Sequence, residues 1–165
     1  TLITKEENIM EKPIVSGIAL DKNQIRVGMY GVTDKPGIAA SIFTSLADEN
    51  INVDMIVQTV GVDGKTDLDF TIPTTDLLIC KNVMEKFKTQ AENIDYNEAI
   101  CKVSIVGVGM KSHTGVASKA FTALANENIN IRIISTSEIK ISMIIDEKYA
   151  ELAVRALHDA YDLDK

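Results

Sequence analysis

The sequence has no tryptophan, three prolines, two cysteines, two histidines and only 5% aromatic residues among 165. Each scarcity removes a class of function. So few aromatics, with a net charge of -7 and no basic cluster, argue against a stacking platform for RNA and against binding to nucleic acid or an anionic membrane. No apolar run approaches the ~20 residues that span a bilayer, and no signal-peptide pattern opens the chain. A cytoplasmic location is the consistent expectation. Cys80 and Cys101 lie in apolar stretches and read as reduced core residues.

Catalytic groups are equally scarce. No His/Cys spacing fits zinc, and His113 and His158 are far apart, with His158 read as a surface residue of the last helix. Gly107-Val-Gly109 follows a strand, but a dinucleotide fingerprint needs a third glycine where Ser112 stands. There is no Walker A pattern. Asp67 and Asp69 alternate on a hairpin and read as a solvated face. The chain is not a convincing self-contained enzyme, and no catalytic residue, metal or cofactor is expected in it.

What is present is a duplication. Gly31-Val-Thr-Asp-Lys-Pro-Gly-Ile leads into Ala-Ala-Ser-Ile-Phe-Thr-Ser-Leu-Ala-Asp-Glu-Asn-Ile-Asn52. Gly107-Val-Gly-Met-Lys-Ser-His-Thr-Gly-Val116 leads into Ala-Ser-Lys-Ala-Phe-Thr-Ala-Leu-Ala-Asn-Glu-Asn-Ile-Asn130. Gly31-Val32 recurs 76 positions on, whereas Gly37, Phe43-Thr44 and Glu49-Asn-Ile-Asn52 recur 78 on, so the second loop is two residues longer. A repeat of this period implies two modules, each too small to be very stable alone.

The elements follow the same order in both halves. In the first, Ile25–Val32 alternates as a strand, and Thr33-Asp-Lys-Pro-Gly37 is a loop. Ile38, Ile42 and Leu46 form one face of a helix ending near Asn50. Val53–Val60 and Asp67–Ile72 form a hairpin about Gly61-Val-Asp-Gly64. Pro73-Thr-Thr-Asp76 caps a helix running to about Gln90, and Asp95–Ala99 is the closing strand. The second half has a strand over Cys101–Val108, a helix from Gly115, hairpin strands Ile129–Thr136 and Lys140–Ile145, and an Asp146-capped helix to about Tyr161.

The pattern β-α-β-β-α-β predicts an α+β chain of two tandem ferredoxin-like βαββαβ modules. The second has no fourth strand of its own. The leftover strand Ile14–Leu20 is predicted to supply it. The expected division is residues 1–13 as a polar lead, 14–20 as that strand, 21–100 as the first module and 101–165 as the second. The lead resembles the tail of something upstream, and Met10 could be an internal start.

In both repeats a glycine-containing loop precedes a helix, exposing backbone N–H groups at the helix's positive end, which suits a small carboxylate. A plainer reading makes Asp34-Lys-Pro-Gly37 a tight turn, and Asn50 and Asn128 helix C-caps. Co-occurrence of loop lysine, glycine and Asn-Ile-Asn in both halves favours two related polar rims. Asn side chains and backbone carbonyls add acceptors for the ammonium of an α-amino acid.

These residues resemble ACT domains, small ferredoxin-like modules that bind amino acids. Met10-Glu-Lys-Pro-Ile-Val15, Val32-Thr-Asp-Lys-Pro-Gly-Ile-Ala-Ala40, Gly107–Gly115 and Ile134-Ser-Thr-Ser-Glu-Ile-Lys-Ile-Ser142 together are similar to the regulatory region of the aspartate kinase family. The resemblance covers nearly the whole chain. It implies an upstream kinase catalytic domain joined through residues 1–13, and a homodimer in which the first ACT domain of one chain pairs with the second of the other. It further implies feedback inhibition by threonine, lysine or both.

By motif, the resemblance places a threonine-type site at Asp34, Lys35, Pro36, Gly37, Ile38, Ala39 and Gln58 with Asn128, Asn130 and Ile131 of the partner. A lysine-type site falls on Met110, Ser112, His113, Gly115, Val116, Ser137 and Glu138 with Asn52, Val53 and Asp54 across the interface. The chain departs from the family's usual pattern at Thr114 and Ala117, which bears on lysine more than on threonine. The competing expectation is an ACT-type dimerisation module that binds no effector.

Overall fold

The computed structural model describes residues 15–61, 63–107 and 113–163. The strands are β1 (Gly17–Asp21), β2 (Ile25–Thr33), β3 (Ile56–Val60), β4 (Lys65–Ile72), β5 (Asn93–Asn97), β6 (Ile100–Val106), β7 (Ile133–Thr136) and β8 (Lys140–Asp146). The helices are α1 (Ile38–Asp48), α2 (Leu77–Glu85), α3 (His113–Asn126) and α4 (Ala150–Ala160). They form two compact units. The first is Asn23–Ile100, and the second joins the stretch up to Lys22 to the chain from Cys101 onward.

In the first unit the sheet order is β3-β4-β2-β5, with every pairing antiparallel. Alternation sends Val27 and Met29 of β2 and Leu68 and Phe70 of β4 to one face, where all four are fully buried. Ile42 and Leu46, one helical turn apart on α1, and Cys80 and Met84 on α2 complete that core. Each buried aliphatic contributes about 1.5–3 kcal/mol, and Phe43 meets Phe70 edge to face at 5.5 Å between ring centroids.

The second unit repeats this plan with a strand borrowed from the N-terminal side. Its sheet order is β1-β6-β8-β7. β1 runs antiparallel to β6 with Ile18 opposite Ile105 and Leu20 opposite Val103, and the Ser16 N–H extends the ladder to the Val106 carbonyl at 2.7 Å. The leftover N-terminal strand therefore completes the second sheet, as the pattern predicted. A β6 without β1 would expose a row of backbone groups already buried among Cys101, Val103 and Ile105.

Three helices end in the same way. At the end of α1 the Asn50 N–H bonds the Ala47 carbonyl at 2.9 Å and the Ile51 N–H bonds Leu46 at 3.1 Å. At the end of α3 Asn128 and Ile129 bond Ala125 and Leu124, both at 3.0 Å, and at the end of α4 Asp162 and Leu163 bond Asp159 and His158 at 3.3 and 2.9 Å. Each is a Schellman cap, with Asn50, Asn128 and Asp162 at φ 59°, 58° and 56°.

Several boundaries differ from the sequence expectation. The strand predicted over Val53–Val60 begins at Ile56. Before it, Thr71 receives the Asp54 N–H on its carbonyl and the Met55 N–H on its hydroxyl, an irregular pairing. Ile129–Thr136 likewise starts as a strand only at Ile133, because Ile129 is used in the α3 cap. The second helix stops at Glu85, and bonds of the i to i+3 type at Lys86, Phe87 and Gln90 tighten the chain so that Phe87 reaches the core. The closing strand is Asn93–Asn97 and not Asp95–Ala99, since the Asn97 side chain takes the Ala99 N–H at 2.9 Å and turns the backbone. Neither Asp76 nor Asp146 caps its helix through its side chain. Short 3₁₀ turns, Thr74–Asp76 and Glu147–Tyr149, lead in instead, and Asp146 faces Arg132 at 3.4 Å.

Candidate functional site: two loop-and-helix rims

The first rim begins with a distortion in β2. Its ladder with β4 shifts register between Met29 and Val32, and Gly31 adopts φ 62°. The Gly31 N–H is taken by the Asp67 carboxylate at 2.9 Å. A Cβ at Gly31 would stand 2.6 Å from the Glu92 carboxylate, so no larger residue fits without rearrangement. Glu92 is itself paired with Lys65, and this raises the pKa of the Lys65 ammonium through the hydrogen bond and the charge. Asp67 and Asp69, expected on a plain solvated face, are both engaged. Asp69 pairs with Arg26 at 2.6 Å, and Arg26 also donates to the Tyr30 hydroxyl at 2.8 Å. Burial opposes the Arg26 charge, but Asp69 and Tyr30 outweigh it and raise the pKa.

Beyond this anchor the loop is held on two sides. The Thr33 N–H bonds the Gln90 carbonyl at 3.2 Å, and the Asp34 N–H bonds Gly64 at the hairpin tip at 3.0 Å. Asp34, Lys35, Pro36 and Gly37 are exposed, Ile38 is buried and Ala39 half-buried. Gly37 takes φ 90°, ψ -8° as the residue before α1. Its carbonyl accepts the first full helical bond, from Ser41 at 2.9 Å. No side chain caps α1, and its first turn holds no acidic residue. The first-turn N–H groups lack intrahelical partners and carry the positive end of the helix, a place for an anion. Gln58, exposed on β3, donates through Nε2 to the Thr66 hydroxyl at 3.3 Å, and Thr66 in turn donates to the Thr59 carbonyl at 2.9 Å.

The second rim is built differently. The Gly107 N–H bonds the Ile139 carbonyl at 2.8 Å, tying the end of β6 to the β7–β8 turn. In that turn Ser137 and Glu138 are exposed, and the Ser137 N–H bonds Lys140 at 2.8 Å. Met110 and Ser112 lie outside the described residues, as does the His113 side chain. α3 starts at His113, so Gly115, the repeat counterpart of Gly37, sits inside the helix. The two glycines occupy equivalent positions with different backbones: Gly37 is left-handed and Gly115 helical.

The remaining residues of each set follow the opposite helix ends. Asn52 and Asp54 are exposed after α1, with Val53 half-buried; Asn130 is exposed after α3, and Ile131 half-buried. α1 has 11 residues and α3 has 14, so the two ends of these helices stand roughly 17 and 21 Å apart. Neither unit gathers a complete set. The first unit offers Asp34–Ala39 at one end of α1 and Asn52–Asp54 at the other, with Gln58 between the two ends on β3, opposite Leu68; the second offers Gly115, Val116, Ser137 and Glu138, and separately Asn128, Asn130 and Ile131. Asn128 already serves the α3 cap through its backbone.

Thr66, Asp67 and Glu92 support the first rim without having been singled out for it. The one signal that could have found them is Gly31, whose recurrence marked a special backbone position. Among the described residues no group of three or more His, Cys, Asp or Glu could hold a metal ion, and no described helix is long and apolar enough to cross a membrane. His158, expected at the surface, is half-buried on α4.

Comparison with known proteins agrees with this fold. The ACT domain family matches twice, over residues 27–86 and 103–161. An aspartokinase of Helicobacter pylori strain 26695 is 66% identical over 169 residues, covering 100% of this chain and 42% of the relative. The chain thus spans less than half the length of that curated relative. The ligand-free regulatory subunit of aspartate kinase from Thermus thermophilus superposes with a TM-score of 0.84 at 40% identity, covering 89% of this chain and 98% of that one. Aspartokinase III of E. coli, solved in complex with lysine and aspartate in a T-state, has a TM-score of 0.71 at 25% identity, covering 89% of this chain and 33% of that one.

Proposed function

The chain belongs to the aspartokinase family as its tandem ACT-domain regulatory region, and we propose that it senses free amino acids, threonine at the first rim and lysine at the second. The observation that carries this reading is the start of α1. The Ile38 N–H is taken by the Lys35 carbonyl at 3.3 Å, but left-handed Gly37, the absence of a side-chain cap and an exposed loop leave the Ala39 and Ala40 N–H groups to an α-carboxylate. The trailing segments at the far helix ends supply acceptors for the ammonium group, Asn130 and the backbone carbonyls around it for threonine. At the second rim Glu138, or Asp54 across the interface, faces the ε-ammonium of lysine. The complex of the E. coli relative with lysine supports the choice of that amino acid class.

Each set is split between opposite helix ends, so a complete site needs a second unit. The exposed edge strands support an assembly in which the first unit of one chain meets the second unit of its partner. Ile56 on β3 and Ile134 on β7, 78 positions apart, are 52% and 43% exposed, and Val60 is 67% exposed. Apolar edges of this kind are covered in a stable protein. Ligand bound at such an interface favours the closed assembly and inhibits a kinase domain upstream, the transferase that phosphorylates aspartate. A coupling of roughly 1–3 kcal/mol is enough for feedback.

Calorimetric titration with threonine and with lysine tests the reading. It expects saturable heat with each and a rise in melting temperature. A stable dimer that responds to neither amino acid would make the chain a dimerisation module and overturn the effector assignment.

A further inference from the structure

The hydroxyl of Tyr161 donates a hydrogen bond to the backbone carbonyl of Val116 at 2.5 Å. The two residues are 45 positions apart, and the contact joins the last helix of the second unit to the first turn of α3. Tyr161 is the C-cap of α4. Its own backbone is fixed by the Schellman bonds of Asp162 and Leu163 described above, and by its N–H to the Leu157 carbonyl at 3.1 Å. The ring packs against the second unit's core, and the Lys119 ammonium lies 5.6 Å from its centroid. Burial pushes the phenol up to about 12, so it keeps its proton and stays a donor at neutral pH.

Among the described residues of the first unit no tyrosine hydroxyl reaches the start of α1. Its second helix stops at Glu85, and backbone bonds hold the loop and the helix start, Thr33 to Gln90, Asp34 to Gly64 and Ile38 to Lys35. The second rim has instead a helix that begins three residues earlier than the counterpart of Ile38, and a side chain that clamps its first turn from α4.

We propose that Tyr161 is a positioning residue for the second rim: by holding the Val116 carbonyl it fixes the first turn of α3, and thereby sets the affinity of that rim for the amino acid it binds. Resting on the reading of this rim as a lysine site, the proposal accounts for how a rim whose Gly115 is helical keeps its helix start in one place. A mobile helix start would have to be ordered by the ligand at a cost in affinity.

Tyr161→Phe removes the hydroxyl and keeps the ring. In this chain it is expected to weaken lysine binding about tenfold, equal to about 1.4 kcal/mol, with threonine affinity unchanged as the internal control for folding. Backbone amide exchange in the absence of ligand is expected to speed up over 113–120 and to stay the same over 38–45. Equal lysine affinity in Tyr161→Phe and the unsubstituted chain, or unchanged exchange over 113–120, overturns the proposal. Absence of lysine binding in the unsubstituted chain overturns the reading of the rim itself and the proposal with it. Loss of threonine binding alongside lysine would show a general structural role and also overturns it.

Discussion

Asn50 and Asn128 stand 78 positions apart and share one backbone conformation, φ 59° and 58°. Each closes a Schellman cap at the end of the first helix of its repeat. Their recurrence in the sequence is therefore explained by backbone geometry, since asparagine tolerates the left-handed region that most residues enter at a cost of roughly 1–2 kcal/mol. Asn128 is also a residue assigned to ligand binding, and the two roles separate by substitution. Asn128→Gly is expected to leave the melting temperature near that of the unsubstituted chain, and Asn128→Ala to lower stability by about 1 kcal/mol. If the side chain also contacts threonine, Asn128→Gly weakens threonine binding at unchanged stability. Equal stability of the Ala and Gly variants would remove the cap assignment.

Gln58 is exposed on an edge strand, and the hydrogen bond from its side chain to Thr66 is long at 3.3 Å. Gln58→Ala should therefore cost the fold little. Threonine affinity is expected to fall about tenfold, near 1.4 kcal/mol, with the dimer intact by sedimentation. Unchanged affinity would take Gln58 out of the site.

Ser137 sits in the β7–β8 turn, which the Gly107–Ile139 bond ties to the end of β6. Ser137→Ala is expected to weaken lysine binding several-fold, as loss of one hydrogen bond does, and to spare threonine. Calorimetry with both amino acids is the check; the reverse pattern would mean that the two rims carry the opposite assignments.

Ile56 and Ile134 occupy equivalent places on the two edge strands. The paired change Ile56→Lys with Ile134→Lys places charge where the proposed assembly is apolar, and is expected to raise the dimer dissociation constant at least a hundredfold. Each unit's fold should survive, because both side chains are about half exposed already. A dimer of unaltered affinity would mean that other surfaces hold the chains together.

Burial raises the thiols of Cys80 and Cys101 from 9.0 to about 11. Both should resist thiol reagents in the folded chain at pH 8 and react on unfolding. Because the folded values lie above the unfolded ones, the protonated thiols contribute full stability below pH 9.0, and this is lost as pH rises through about 11. Melting temperature is expected to hold level up to pH 9.0 and to fall above it. Rapid labelling of the native chain at pH 8 would contradict the buried, neutral state.

Much of the candidate site could be read from residue order because it was written twice. Gly31, Gly37 and the Asn-Ile-Asn segments stood out through recurrence, and the loop–helix arrangement followed. The supports around them could not be read in this way. Asp67 looked like an alternating surface carboxylate, and only folding brought it to the Gly31 N–H. Glu92 and Lys65 are 27 positions apart, with no local pattern linking them. Gly115 had been matched to Gly37, yet the two differ in backbone, since the earlier start of α3 takes Gly115 into the helix.

The order of strands and helices, the faces that are buried and the existence of two modules were determined by the sequence alone. They depend on local periodicity and on a duplication, which short stretches of chain carry without reference to the rest. The place of the N-terminal strand agreed with the pattern, but it was decided by the ladder from Gly17 opposite Val106 to Asp21 opposite Lys102. The clamp of Tyr161 on Val116, the ion pairs bracing the first rim and the bare edges at Ile56 and Ile134 were likewise decided by tertiary structure. These pair residues distant in sequence, or depend on which strand ends at the edge of a sheet, and neither property is carried by any local run of residues.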